Sequence, residues 1–300
     1  MNSHDTKNTA TSSTGWKPGS RKVVFAEIIS MGHPRAVVIF SLLTLVTALM
    51  AQRGDIKLWT AVSLVLAMAF VQVAIGVFND YYDRDLDLIA KPHRALPAGM
   101  ITPGTALAAS WLAIALGLGT SAMLGIPSVL VLALGAGMGI LYDVRLKRTA
   151  LSWLPYAVAY PIVPLWVWVS LGKFSPELLL IFPVTIPFSV GIHLCNQLRD
   201  YDNDAAQGMK GLAQYLGKKA AGKLSLTLLL AGPLPALLIT LGKRNSMTLL
   251  GIAILSHWLL VARCLASWDR KTDDLWHPLF RVLQVSSPLI LIGWIYTSGP

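Results

Sequence analysis

The chain has 300 residues, 54% hydrophobic and only 13% charged, with a formal net charge of +10, and its mean hydropathy is +0.59. That balance excludes a soluble domain and indicates an integral membrane protein. Its basic residues sit mostly in short loops between apolar runs, so the partner they imply is an anionic lipid leaflet and not nucleic acid.

Residues 1–22 are rich in Ser, Thr, Asn, Lys and Gly and are expected to form a disordered cytoplasmic tail. Residues 23–300 are expected to form a single membrane domain. No signal peptide is expected, because the first apolar run begins after Pro34. A short amphipathic piece at Val23–Ile29 is expected to lie at the membrane interface. Nine apolar stretches follow, roughly at 36–51, 58–78, 103–122, 126–141, 151–171, 177–195, 222–241, 247–266 and 281–297. The tail and the loops after the second, fourth, sixth and eighth stretches, with their flanking turns, carry 20 of the 25 Lys and Arg residues. The other loops hold Arg53, Lys57, Lys173, Lys243 and Arg244. The N-terminus is therefore expected in the cytoplasm and the C-terminus outside. Cys195 and Cys264, the two cysteines, lie in or at the ends of apolar runs, which excludes a disulfide framework and a cysteine zinc site.

The second stretch ends in Asn79-Asp80-Tyr81-Tyr82-Asp83-Arg84-Asp85-Leu86-Asp87. On a helix Asp83, Asp87 and Asp80 fall about 40°, 80° and 100° from Asn79, whereas Asp85 falls about 240° away. Like charges at this spacing repel, and an acid in the hydrocarbon zone costs roughly 2.5–3.5 kcal/mol. A bound cation would offset both, and an all-oxygen ligand set suits Mg²⁺ or Ca²⁺. The pattern recurs at Asn196, Asp200 and Asp204, with Gln197 in the place of Asp80 and Asp202 off the face. Seven of the 15 acids lie in these two windows. The twin motifs, four stretches apart, imply two related four-helix halves plus a ninth helix. Their loops, 79–102 and 196–221, are expected on the cytoplasmic side. There Lys91 and Arg94 follow the first motif and Lys210 follows the second, offering cations for a phosphate. The fourth stretch ends in Tyr142-Asp143-Val144-Arg145-Leu146-Lys147-Arg148, a basic cluster suited either to phosphate or to fixing topology.

These motifs resemble those of the UbiA superfamily of intramembrane prenyltransferases over nearly the whole chain. The resemblance implies nine transmembrane helices in a bundle around a central cavity, Mg²⁺ bound by both motifs, and an isoprenyl diphosphate donor. Carried over by position, Asn79, Asp80, Asp83, Asp87, Asn196, Asp200 and Asp204 would hold metal. Lys91, Arg94, Tyr142, Lys147 and Lys210 would hold the diphosphate, and Asp83, Asp87, Asp200, Asp204, Lys147 and Tyr142 would serve catalysis. The chain departs from the family pattern at Ala95, where Pro is usual, at Gly211, where Thr is usual, and at His33-Pro34, where many members have Arg-Pro.

The implied reaction is departure of diphosphate from an allylic carbon, with the carbocation then captured by an aromatic or lipid acceptor. A terpene cyclase with the same ionisation site is the alternative. A cation-coupled transporter would place its acids at mid-span, and the membrane phosphotransferases need a D-G-x-x-A-R string that does not occur. Gln72 and His193, on the motif faces, are candidates for contacting the acceptor, against the favoured alternative that His193 is a helix-packing histidine hydrogen-bonded to a neighbour. The aromatic fifth stretch, with Trp153, Tyr156, Tyr160, Trp166 and Trp168, is a candidate for stabilising a cation.

Overall fold

A computed structural model describes residues 21–241, 247–268 and 275–299. Residues 1–20 of the expected tail, and Lys243, Arg244, Arg270 and Lys271 among the loop cations, lie outside the described residues. The described chain is helical: α1 Arg21–Met31, α2 Pro34–Ala51, α3 Leu58–Ala90, α4 Pro103–Ala122, α5 Ile126–Val144, α6 Leu154–Ser170, α7 Ile181–Arg199, α8 Tyr201–Ala206, α9 Leu212–Leu216, α10 Lys218–Ala231, α11 Pro233–Thr240, α12 Thr248–Ala266 and α13 Trp276–Ser298.

Proline punctuates this order. It stands in the first turn of α2, α4, α5, α6 and α11, where the missing N–H costs nothing and φ is already helical. The Thr102 hydroxyl adds a cap to α4 by accepting from Thr105 N at 3.0 Å. The expected span at 222–241 is divided into α10 and α11 at Gly232-Pro233.

Eight spans among the described residues are long and apolar enough to cross a membrane. The remaining apolar helix, α6, has 17 residues, about 26 Å at 1.5 Å per residue, the lower limit of what spans a hydrocarbon core. At 33 residues, α3 runs about 50 Å, well beyond the ~30 Å of a hydrocarbon core. The first motif therefore lies inside a continuous helix, where the sequence suggested a loop starting at Asn79. The helix ends only at Lys91 (φ −144°), which precedes Pro92, because the proline ring disfavours a helical residue before it. The second motif behaves differently. Helix α7 stops at Arg199, Asp200 takes a non-helical cap (φ −104°, ψ 11°), and α8 restarts at Tyr201.

Helix α3 packs on α2, α4 and α5, α6 packs on α2, α5 and α7, and α13 closes the ring against α2 and α7. Each motif helix also pairs with the next membrane helix, α3 with α4 and α7 with α10, as two related halves would. Apolar side chains of α4 and α12, such as Leu112, Leu116, Ile252 and Leu259, face outward, as lipid-facing positions do. One close approach sets the geometry of the site. A Cβ on Gly76 of α3 would come within 2.8 Å of the Gly32 carbonyl carbon. Only glycine lets the α1–α2 turn lie on α3, and this turn brings His33 to within 3.6 Å of Asp80.

Candidate functional site

A cavity of about 890 Å³ opens between α2, α3, α5, α6, α7, α8 and α13. Asn79, Asp83 and Asp87 line it from α3, and Asn196, Asp200 and Asp204 line it from α7, the Asp200 cap and α8. Two motifs separated by the whole middle of the chain thus face one space. Lys91, Arg94, Tyr142 and Lys147 line the same space.

Nearly every carboxylate is matched with a cation. Lys147 Nζ donates to Asp83 Oδ2. Lys91 Nζ lies 3.3 Å from Asp87 Oδ1, and Arg94 Nη1 donates to Asp87 Oδ2 at 3.2 Å and to Asp80 Oδ1 at 2.6 Å. Arg199 Nη2 donates to Asp200 Oδ2 at 2.5 Å. Such pairing offsets the desolvation of acids at a protein–membrane boundary. One oxygen and one carboxyl group escape it. Asp83 Oδ1 is buried without a hydrogen-bond partner. Burial, reinforced by the nearby Asp200 charge, pushes Asp204 up to about 6.

The off-face acids behave as their angles demand. The side chains of Asp85 and Asp202 are 76% and 81% exposed, with Arg84 at 3.6 Å from the first and Lys218 at 3.0 Å from the second. Asp80 is buried, but it does not line the cavity; it anchors Arg94 and faces His33. Lys210 is exposed and does not line the cavity either.

Of the two polar candidates deeper down, Gln72 lines the cavity, and its amide donates to Met68 Sδ at 3.6 Å. His193 does not line it. It is fully buried behind Tyr156 (4.4 Å between ring centres), with Nε2 2.9 Å from Ser152 Oγ. Of the aromatics on and beside α6, Tyr156, Tyr160 and Trp166 line the cavity, and Trp153 and Trp168 do not.

Asp143 was missed by the motif reading. It is buried, lines the cavity and accepts from Asn79 Nδ2 at 2.6 Å, so it orients the first residue of the first motif. The available signal was its position beside Tyr142 at the end of an apolar run. Arg35, Arg199 and Arg281 also line the cavity. Its walls carry six Lys and Arg residues against five Asp residues.

Among the described residues no three His, Cys, Asp or Glu side chains converge closely enough to form a ready-made metal cage. The donor set nonetheless fits a hard divalent cation. It consists of oxygens from two walls, one carboxylate oxygen without a partner and one carboxyl that burial shifts upward.

A profile of the UbiA prenyltransferase family matches residues 39–298. The chain belongs to the UbiA prenyltransferase family. Among curated UbiA-related proteins, it is 27% identical over 155 residues to a chloroplastic chlorophyll synthase of Oryza sativa subsp. japonica, an alignment covering 48% of this chain and 41% of the relative. It is 31% identical over 183 residues to the digeranylgeranylglyceryl phosphate synthase of Saccharolobus solfataricus, covering 57% and 64%. The chain spans about half the length of the first curated relatives it matches. A solved UbiA homologue from Archaeoglobus fulgidus, bound to GPP and Mg²⁺, superposes with a TM-score of 0.71 at 20% identity, covering 91% of this chain and 99% of that one. The UbiA fold is therefore common to both.

Proposed function

We propose that this chain is a Mg²⁺-dependent prenyltransferase, moving an isoprenyl group from an isoprenyl diphosphate to a hydrophobic aromatic or lipid acceptor. The observation that carries this reading is the shared cavity. Two acidic motifs 117 positions apart face each other across it, interleaved with cations suited to phosphate. The names of the relatives and the GPP and Mg²⁺ in the A. fulgidus homologue support it.

Asn79, Asp83, Asp87, Asn196, Asp200 and Asp204 would hold Mg²⁺, which supplies electrostatic stabilisation of the departing diphosphate. Asp80 and Asp143 act through their neighbours, holding Arg94 and Asn79 in place. Lys91, Arg94 and Lys147 donate to phosphate oxygens as negative charge grows on the leaving group. Tyr142 flanks Lys147, whose Nζ lies 6.0 Å from its ring centre. Lys210 serves from the loop above. The apolar walls of α3, α5 and α6 keep water from the allylic cation, so that the acceptor captures it. On this reading the protein sits in the cell membrane as a multi-pass chain, in a single domain spanning 23–300, with its N-terminus and the cavity mouth on the cytoplasmic side, a placement that the distribution of loop charges supports.

The test is purified protein with Mg²⁺, a panel of isoprenyl diphosphates and a membrane lipid extract, followed by mass spectrometry of the products. The expected result is a prenylated acceptor, formed only when metal, donor and extract are all present. Release of a cyclic hydrocarbon from donor alone would overturn the transferase reading in favour of a cyclase.

A further inference from the structure

The cavity has a built floor. Along α6 its lining runs from Pro155 to Trp166, about 16 Å of helix. The lining from Leu132 to Tyr142 on α5 is about as long. At the end remote from the acids, Trp166 lies with Met68 of α3 and Leu132 of α5 in one packed cluster, and its side chain is fully buried.

The indole is held by more than packing. Its Nε1 donates to Ser128 Oγ of α5 at 2.9 Å, and a longer contact of 3.3 Å reaches Ser121 Oγ of α4. Ser128 Oγ is in turn 2.7 Å from both Ser121 Oγ and Ser170 Oγ, and Ser170 Oγ donates to Trp166 O at 2.7 Å. Three hydroxyls buried in an apolar bundle each need a partner to be tolerated. One acceptor would satisfy the buried indole N–H; here three linked hydroxyls surround it. They fix the ring in one orientation, across the cavity's end.

A sideways route exists but is narrow. Beyond Phe40 and Tyr160 lies a second chamber of about 140 Å³, lined mostly by apolar residues of α2, α7 and α13. The two rings meet edge to face, with centres 5.7 Å apart, where the chambers adjoin.

We propose that Trp166, locked by Ser121, Ser128 and Ser170, is the residue that limits the length of the donor's isoprenoid tail. This rests on the prenyltransferase reading above. With the diphosphate at the acids, the tail runs down the wall between α3, α5 and α6 and stops against the indole. The lined stretch of α6, about 16 Å of helix, sets the expected limit at about a farnesyl chain. A longer tail must fold back or force the Phe40–Tyr160 contact. Each carbon that reaches the apolar wall leaves water, so affinity rises with chain length until the floor is met.

The experiment has two arms. In the first, wild-type protein binds unreactive thio-diphosphates of the dimethylallyl, geranyl, farnesyl and geranylgeranyl series, followed by calorimetry with Mg²⁺. Affinity is expected to climb to farnesyl and then to stop or fall; a further gain of the same size at geranylgeranyl overturns the floor. In the second, turnover of geranylgeranyl relative to geranyl diphosphate is compared across variants. Trp166→Ala is expected to raise this ratio about tenfold or more, and Ser128→Ala, which frees the ring without removing it, by less. Trp59→Ala, an exposed tryptophan outside the cavity, should match wild type. Trp166→Leu takes the place of Trp166→Ala if the alanine protein is not recovered folded. An unchanged ratio in a folded Trp166 variant overturns the proposal. Failure of every diphosphate to bind or turn over overturns the prenyltransferase reading instead.

Discussion

Gly211 follows Lys210 in the loop behind the second motif, and its backbone (φ −65°, ψ −179°) is open to any residue. Space alone excludes a side chain. A Cβ there would fall on the amide nitrogen of Gln197 and 3.0 Å from its Cδ. Gln197 cannot move freely, because its Oε1 accepts from Ala213 N at 2.9 Å and its Nε2 donates to Ser152 Oγ at 3.3 Å. Ser152 Oγ also accepts from Leu212 N at 2.9 Å and contacts His193 Nε2. These bonds tie the loop to α7 and to the turn before α6.

Gly211→Ala must therefore expel the Gln197 side chain and leave Ala213 N–H buried and unpaired, a loss of roughly 1–3 kcal/mol. Gln197→Ala alone leaves the same N–H unpaired and should cost about as much. The two losses share one cause, so the double variant should be hardly worse than either single one, with a coupling of about 1–2 kcal/mol. Thermal unfolding of the four proteins in one detergent reads this directly. Each single variant should melt roughly 4 °C lower for a 2 kcal/mol loss, and the double variant close to the singles. If Gly211→Ala costs nothing, or costs the same with and without Gln197, the steric argument is wrong.

The acids on the motif faces should separate sharply from those off them. Asp83→Ala and Asp200→Ala are expected to abolish prenyl transfer with expression intact, while Asp85→Ala and Asp202→Ala stay within about tenfold of wild type, or 1.4 kcal/mol; a radiolabelled-donor assay decides. Asp143→Ala leaves Asn79 without its acceptor and should lower kcat while thermal stability changes little; equal kcat would remove Asp143 from the site. His193→Phe should alter stability through the lost Ser152 contact but not the identity of the preferred acceptor, because the ring lies behind Tyr156. A changed acceptor profile in the product spectra would place His193 in the pocket.

The sequence revealed most where physics repeats itself. The i, i+4, i+8 spacing of Asn79, Asp83 and Asp87 picked out three side chains that line the cavity and set Asp85 aside, whereas Asp80, counted on the same face, does not line it. The same arithmetic at Asn196, Asp200 and Asp204 reached side chains that line the cavity from the other wall, although Asp200 sits at a break where α7 gives way to α8. Periodicity does not encode that break. Asp143 escaped notice because a lone acid has no partner in sequence; its meaning comes from Asn79, 64 positions away. His193 shows the limit of the same arithmetic, and is the packing histidine that the sequence favoured. Its angle on the motif face was right, but the aromatic ring of Tyr156 stands between it and the cavity. The departure at Gly211 also gains a physical reason: the first motif's Asp80 binds Arg94, whereas its counterpart Gln197 turns back onto the loop and occupies the space of a side chain.

Charge counting explains why a diphosphate would need a divalent cation here. The walls carry one more cation than carboxylates, and four of the six cations already pair with motif acids. Arg35 and Arg281 remain, both exposed at the mouth. A diphosphate entering alone would have to draw Lys91, Arg94, Lys147 and Arg199 from their carboxylates, leaving Asp83, Asp87 and Asp200 partly buried and uncompensated, a heavy penalty in a medium of low dielectric. Entering with a divalent cation, the anion takes over the basic side chains while the acids receive positive charge in exchange, so no buried charge loses its partner. The ion pairs that line the cavity would hold donors and acceptors in place for that exchange. Diphosphate should accordingly bind at least about tenfold more weakly in the presence of a chelator than with Mg²⁺, measured by calorimetry on wild-type protein. Equal affinity in the two conditions would show that the basic residues suffice alone and that the two acidic motifs serve some other end.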